Sequence, residues 1–251
     1  MDTLDIHPDN TETIKPVRQT AKWQPSIKTR IAPTKDIAIR EEEDDPAFIK
    51  IFSNGSGIEG NIGAAAVLYR LQDGKTTKRV LRYCLGPETK HTVYEGEVVG
   101  GIMAQELPHK EIRGFGRRVS MYIDNQASIQ STQSIKPALG HYLVDILHRK
   151  VSRSKKKFRN IDITIRWIPS HLDIEGNEEA DRQAKRAVKG DANSSLNRLP
   201  VELRNGLPDS KSAIKQAIIK ALKEDATCVL RESPQWRKLR HVDSTMPSNR
   251  Y

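Results

Sequence analysis

Cysteine is scarce in this sequence: Cys84 and Cys228 are the only two in 251 residues. Two thiols make no disulfide framework, and no zinc-type spacing accompanies them. Reduced thiols in an intracellular compartment are the expectation. No apolar run is long enough to span a bilayer, so no membrane partner is expected. The opening MDTLDIHPDNTETIKP is acidic where a secretory leader is basic and then apolar. The reading is therefore a non-secreted protein, with the nucleus among the compatible compartments. No internal repeat is visible. What the chain does have is positive charge, a formal net +10. Such a surplus favours polyanionic partners, because cations near phosphates release condensed counterions.

Length allows one domain with tails or two small ones. Hydrophobic residues make up 36% of the chain, unevenly spread. Residues 1–46 hold Pro16, Pro25, Pro33, scattered charge and the acidic run from Glu41 to Asp45. Few of them can bury a face, and a disordered linker is predicted. Ordered structure is expected from Ala47. In AFIKIFSN, Phe48, Lys50, Phe52 and Asn54 share one side of a strand, with Ile49 and Ile51 on the other. GAAAVLYR reads as a second strand, and Asp73-Gly74 as the turn into a third, antiparallel one.

TVYEGEVVGGIMAQEL is helical and apolar around much of its circumference, as a helix lying on a sheet would be. Gly100 and Gly101 within it suggest close approach to that sheet. VSMYID is a fourth strand, HYLVDILHRKV a helix and IDITIRWI a fifth strand. NEEADRQAKRAV is a last helix, with Asn177 as its cap. The predicted fold is α/β: a five-stranded mixed sheet with helices on its faces, over residues 47–188. Residues 189–251 read as a basic linker and a short amphipathic helical tail, marginal unless docked.

Four positions would deliver side chains to one edge of this sheet: Asn54 ending strand one, Glu97 on the first long helix, Asp124 ending strand four and Asp181 in the last helix. His171 lies just upstream of that helix. Singly, each has an ordinary role: Glu97 a helix residue reaching solvent, Asp181 a first-turn acid, Asp124 a turn former, His171 a loop histidine. Glu97 stands out because it falls on the otherwise apolar line Val93, Glu97, Gly101, Ala104. Glu95 competes with it but misses that line.

In chain order, F-S-N-G-S, Y-E-G-E-V, Y-I-D-N-Q, W-I-P-S-H and G-N-E-E-A-D resemble the type 1 ribonuclease H family, over residues 47–188. The flanks, 23–45 together with SKSAIKQ, SPQWRKLR and DSTMPS, resemble the C-terminal part of a fungal non-LTR retrotransposon polyprotein. The resemblance implies endonucleolytic hydrolysis of the RNA strand of an RNA–DNA hybrid. It implies two Mg²⁺ ions, with Mn²⁺ a possible substitute, straddling the scissile phosphate. Oxygen ligands suit such ions. Glu97, Asp124 and Asp181 match three of the family's four carboxylates, and His171 matches its mobile histidine, whose neutral range suits proton transfer.

The first position departs from the family. Asn54 stands where the family has aspartate, and an amide offers a carbonyl oxygen without charge. Weak metal binding and reduced cleavage follow, and a non-catalytic hybrid-binding module is the alternative. Asn54 also precedes Gly55, a pair prone to deamidation. Ser56, Asn125 and Gln126 flank the metal positions and are candidate substrate contacts, with the 2′-hydroxyl distinguishing RNA from DNA. The basic run Arg149, Lys150, Arg153, Lys155, Lys156, Lys157 and Arg159 is either a solvated helix end or a rim gripping the DNA strand. The resemblance implies a monomer or one part of a larger polyprotein.

Overall fold

The computed structural model describes residues 7–20, 22–72, 75–110, 118–158, 160–190 and 194–242. A central run of apolar, β-branched segments forms the sheet. Strand β2 (Ile49–Ile58) pairs antiparallel with β3 (Asn61–Gln72), which pairs antiparallel with β4 (Lys75–Pro87). The turn residues Asp73 and Gly74 lie outside the described residues. Strand β5 (Arg118–Ile123) runs parallel to β2, and β6 (Asp162–Trp167) parallel to β5. A sixth strand, β1 (Lys28–Arg30), adds to β6 in parallel, so the sheet order is β1-β6-β5-β2-β3-β4.

The period-two pattern of β2 sorts its side chains onto two faces. Ile49 and Ile51 join the larger core under α2 (Val93–Glu106) and α4 (His141–Lys157). Phe52 faces the opposite way, stacked on Tyr122 at 4.8 Å and packed with Ala180 of α5 (Glu175–Ala187). Thr92 caps α2 in a reciprocal box with Glu95, which gives Glu95 a structural role. Gly100 does lie against the sheet: a Cβ there would meet Ala65 O at 3.2 Å and Asn54 O at 3.3 Å. Gly101 does not, since its nearest neighbour would be a Leu147 methyl at 3.7 Å.

Three sequence expectations change. Segment 1–46 is not a disordered linker: its described part holds β1 and α1 (Lys35–Glu43), and buries Ile27, Ala32 and Ala38. Polar anchors fix it as well. Arg18 pairs with Asp145 of α4 at 2.7 Å, and Glu12 accepts from the backbone N–H groups of Gly140 and Lys211. The few apolar residues suffice because the rest of the chain supplies their slots.

Second, the segment after α5 is not a bare linker. Leu199 and Leu203 join the core, and the hydroxyls of Ser194 and Ser195 accept from Cys84 N and Arg82 N on β4. The tail helix α6 (Lys211–Glu232) spans 22 residues, longer than predicted. It docks by its first turn, where Ala213 is its one buried residue, and α7 (Trp236–Val242) follows it. Third, α5 starts at Glu175 after Ile174, so Asn177 lies inside the helix and is not its cap.

Candidate active site

Strand β2 continues to Ile58, so Asn54 does not end it. Pairing with β5 does stop at Ser53↔Ile123, and beyond that point the β5 side of β2 opens into a cavity. Asp124 follows the last residue of β5. Its backbone carbonyl accepts from Trp167 Nε1 at 3.0 Å, which ties it to the end of β6. On the other side α2 lies against β2 without a gap. A Cβ on Gly55 would sit 2.4 Å from Glu97 N and 2.6 Å from Gly96 C, both backbone atoms, so only glycine fits there. That contact carries Glu97 to the cavity. Gly176 does the same for α5, because a Cβ there would strike the Phe52 ring at 2.2 Å.

The resulting cavity, about 200 Å³, is lined by Asn54, Gly55, Glu97, Asp124, His171 and Asp181, together with Ser170, Asn177 and Glu178. All five residues singled out for chemistry therefore meet at one place. Asn54 and Glu97 are buried, Asp124 and Asp181 half-buried, and His171 is exposed at the rim. His171 has φ of 58°, a left-handed conformation that a non-glycine residue holds only where its surroundings enforce it.

The electrostatics of the cavity are those of crowded acids. Burial pushes the Glu97 carboxyl well above the usual range. The charge of Asp124 pushes it further, the Gly55 backbone N–H opposes, and Asp181 adds to the rise. Asp124 is raised by burial and then by Asp181. Its own backbone N–H, His171 and a hydrogen bond from Asn177 act against that rise. Glu97 Oε2 is buried without a hydrogen-bond partner, as is Asn177 Oδ1. Asn54 Nδ2 donates to Asp124 Oδ2 at 3.4 Å, and Asp181 is drawn to Lys185 at 2.6 Å, one turn along its helix.

The remaining candidates fall elsewhere. Ser56 is buried on β2 opposite Gly63, outside the cavity lining. Asn125 caps α3 (Gln126–Ser131), its Oδ1 accepting from Ser128 N at 3.1 Å, and Gln126 is half-buried in the first turn. Both sit beside Asp124 without lining the cavity. The basic run is divided. Lys150 is buried between Glu106 and Glu202, Arg153 also reaches Glu202, and Lys155 donates to the Ser26 carbonyl at 2.6 Å. Lys156 and Lys157 are exposed, the latter over the Phe158 ring. Arg159 lies outside the described residues. Asn177 is the residue whose part the sequence misled on. It sits two positions into the helix and donates to Asp124. Its place in G-N-E-E-A-D, four residues before Asp181, was the available signal, since that spacing puts both on one helix face.

No family model matches the chain, and no curated protein matches it. Solved structures are similar to part of it. Ribonuclease H1 from the halophilic archaeon Halobacterium salinarum aligns with 56% of this chain and 97% of its own, at 19% identity and a TM-score of 0.42. LC11 ribonuclease H1 in complex with an RNA/DNA hybrid aligns with 56% and 96%, at 18% identity and a TM-score of 0.42. The N-terminal ribonuclease H domain of rv2228c from Mycobacterium tuberculosis, solved as a fusion with maltose-binding protein, aligns with 56% and 98%, at 17% identity and a TM-score of 0.41.

Proposed function

We propose that the chain is a ribonuclease H-type domain that engages RNA–DNA hybrid, with hydrolysis of the RNA strand weakened by Asn54. One observation carries the reading: Asn54, Glu97, Asp124, His171 and Asp181, from five separate segments, line a single cavity at the open end of the sheet. The net charge of +10 suits a polyanionic substrate.

The chemistry of the donors fits a hard divalent cation. They are oxygen donors, the Glu97 and Asp124 carboxyls are raised by burial and then by the charge of neighbouring acids, and Glu97 Oε2 lacks a partner. As the side chains stand, no three acidic, histidine or cysteine residues among those described are gathered to hold one ion. Asp181 must first leave Lys185. Glu97, Asp124 and Asp181 would be the ligands, with the Asn54 carbonyl a neutral fourth. When bound, such ions supply charge neutralisation at the phosphate and an acidified water. The protein's own part is to hold the acids at fixed positions and to move a proton through His171 at the rim. The resemblance of the flanks makes the domain one part of a retroelement polyprotein on this reading, with the nucleus among its working compartments.

The test is cleavage of a labelled hybrid by the chain as written beside Asn54→Asp, across magnesium concentrations, with hybrid binding measured in parallel. RNA-strand cleavage that rises with Asn54→Asp supports the proposal. Binding with no cleavage by either protein favours a module that only binds.

A further inference from the structure

The outward face of α5 changes sign along its length. Its inward face is pinned to the sheet: a Cβ on Gly63 of β3 would meet Ala184 O at 2.6 Å and Val188 N at 2.7 Å. Ala180, Gln183, Ala184 and Ala187 are buried on that side. The outward side begins with Glu175 and Glu178, the second of which lines the cavity. From Arg182 to Gly190 the chain then carries four cations and no acid. Arg182, Lys185, Arg186 and Lys189 are all exposed, and their i, i+3, i+4, i+7 spacing puts them on one face. Lys189 follows the C-cap, Val188, whose backbone is still helical.

Cations near a helix C-terminus complement its dipole, but these are also free to take another partner. Lys185 meets Asp181 at 2.6 Å and Arg182 meets Glu179, yet the two cationic side chains keep 49% and 58% of their exposure. Pairs of that kind exchange at little cost. Among the described residues, Arg186 and Lys189 have no side-chain partner. Lys150 on α4 is the contrast, buried between Glu106 and Glu202.

We propose that this face of α5 is a track for a nucleic-acid backbone leading away from the cavity. Arg182 to Lys189 covers about 10 Å at roughly 1.5 Å per residue, the axial length of about three nucleotides of one strand. Lysine and arginine on a fixed helix grip phosphates without reading bases, so the track has no sequence preference. A basic helix can also meet an anionic lipid surface, but it does so by burying an apolar side in the headgroups. The apolar side of α5 is already spent on the sheet, which leaves nothing to insert. The choice of hybrid as occupant rests on the proposed function. The grip itself is read with plain duplex DNA as well, so the two can fail separately.

The full chain is titrated with labelled hybrid, with duplex DNA of the same sequence and with phosphatidylserine vesicles. EDTA is present so that no strand is cut, and the salt concentration is varied. Arg186→Gln with Lys189→Gln is compared with Lys22→Gln with Lys215→Gln, which removes the same charge from exposed positions off α5. The α5 pair is expected to flatten the dependence of log affinity on log salt by about two units, one for each lost phosphate contact. The control pair should keep the parent's slope, and so should Arg186→Lys with Lys189→Arg, which keeps the charge. An equal change from the α5 and control pairs would reduce the effect to net charge and overturn the track. So would an unchanged slope on both nucleic acids, no binding to either, or an effect on vesicles alone. A flattened slope on duplex DNA with the hybrid slope unchanged would uphold the track and remove the hybrid as its occupant.

Discussion

Arg18 forms a buried ion pair with Asp145 of α4, the two side chains retaining 3% and 13% of their exposure. The same guanidinium donates to the carbonyls of Ser134 and Lys136 and meets His141 Nδ1. Removing one member of a buried pair strands the other charge. Arg18→Ala is expected to cost about 3–5 kcal/mol of unfolding free energy, read as a lower urea midpoint with unchanged slope. A loss under about 0.5 kcal/mol, the scale of a surface pair, would mean that the N-terminal segment is not held this way.

Asn54→Asp is expected to raise cleavage by tens-fold or more. One added unit charge about 4 Å from a cation is worth on the order of 4 kcal/mol at an effective dielectric of about 20, before desolvation. At roughly 1.4 kcal/mol per tenfold, a fraction of that suffices. Adding Asp124→Asn to the restored protein should abolish the gain. His171→Ala in the same background should slow turnover and leave the magnesium dependence nearly intact, because it lies at the rim. A rightward shift of the magnesium curve would make His171 a ligand.

Hybrid binding should weaken steeply with salt. Neutralising Lys156 and Lys157 is expected to flatten the slope by up to about one unit for each lost phosphate contact. Lys155→Gln should leave the slope alone, because that ammonium is engaged by the Ser26 carbonyl. Equal effects from all three lysines would contradict the observed contacts.

Acid should destabilise the fold through His91. Burial, with Lys90 assisting and Asp209 opposing, lowers its pKa from 6.5 to about 4. The folded state therefore resists protonation that the unfolded chain accepts. Stability contributed by neutral His91 is full above pH 6.5 and falls as pH drops toward about 4, by on the order of 3 kcal/mol at most. Urea unfolding at pH 7 and pH 5 should show a smaller difference for His91→Gln than for the parent. An identical pH dependence in both proteins would remove His91 from the account.

Much of this was legible in the residues. Period-two alternation placed Ile49 and Ile51 opposite Phe52, and the apolar stripe around Glu97 singled it out from Glu95. The capping box that occupies Glu95 was also readable, as threonine at 92 and glutamate at 95. What escaped was structure that depends on slots made elsewhere. Ile27, Ala32 and Ala38 are too few and too scattered to show a face of their own. Ile27 joins the main core, and Ala32 and Ala38 are buried, only in the folded chain. The basic run shows the same limit in reverse: its charges are plain in sequence, yet Lys150 and Lys155 point into the molecule, toward partners distant along the chain.

Strand β1 has only three residues, yet it decides where the chain can be cut. It covers the outer side of β6 over Thr164, Ile165 and Arg166, and Arg30 then forks onto Glu41 of α1. A fragment begun at residue 47 would keep every residue of the cavity. It would also bare the edge of β6 at Thr164, Ile165 and Arg166, leaving backbone donors and acceptors open. Open edges recruit strands from other molecules. Such a fragment should clump during expression, and its insolubility would say nothing about the chemistry of the cavity.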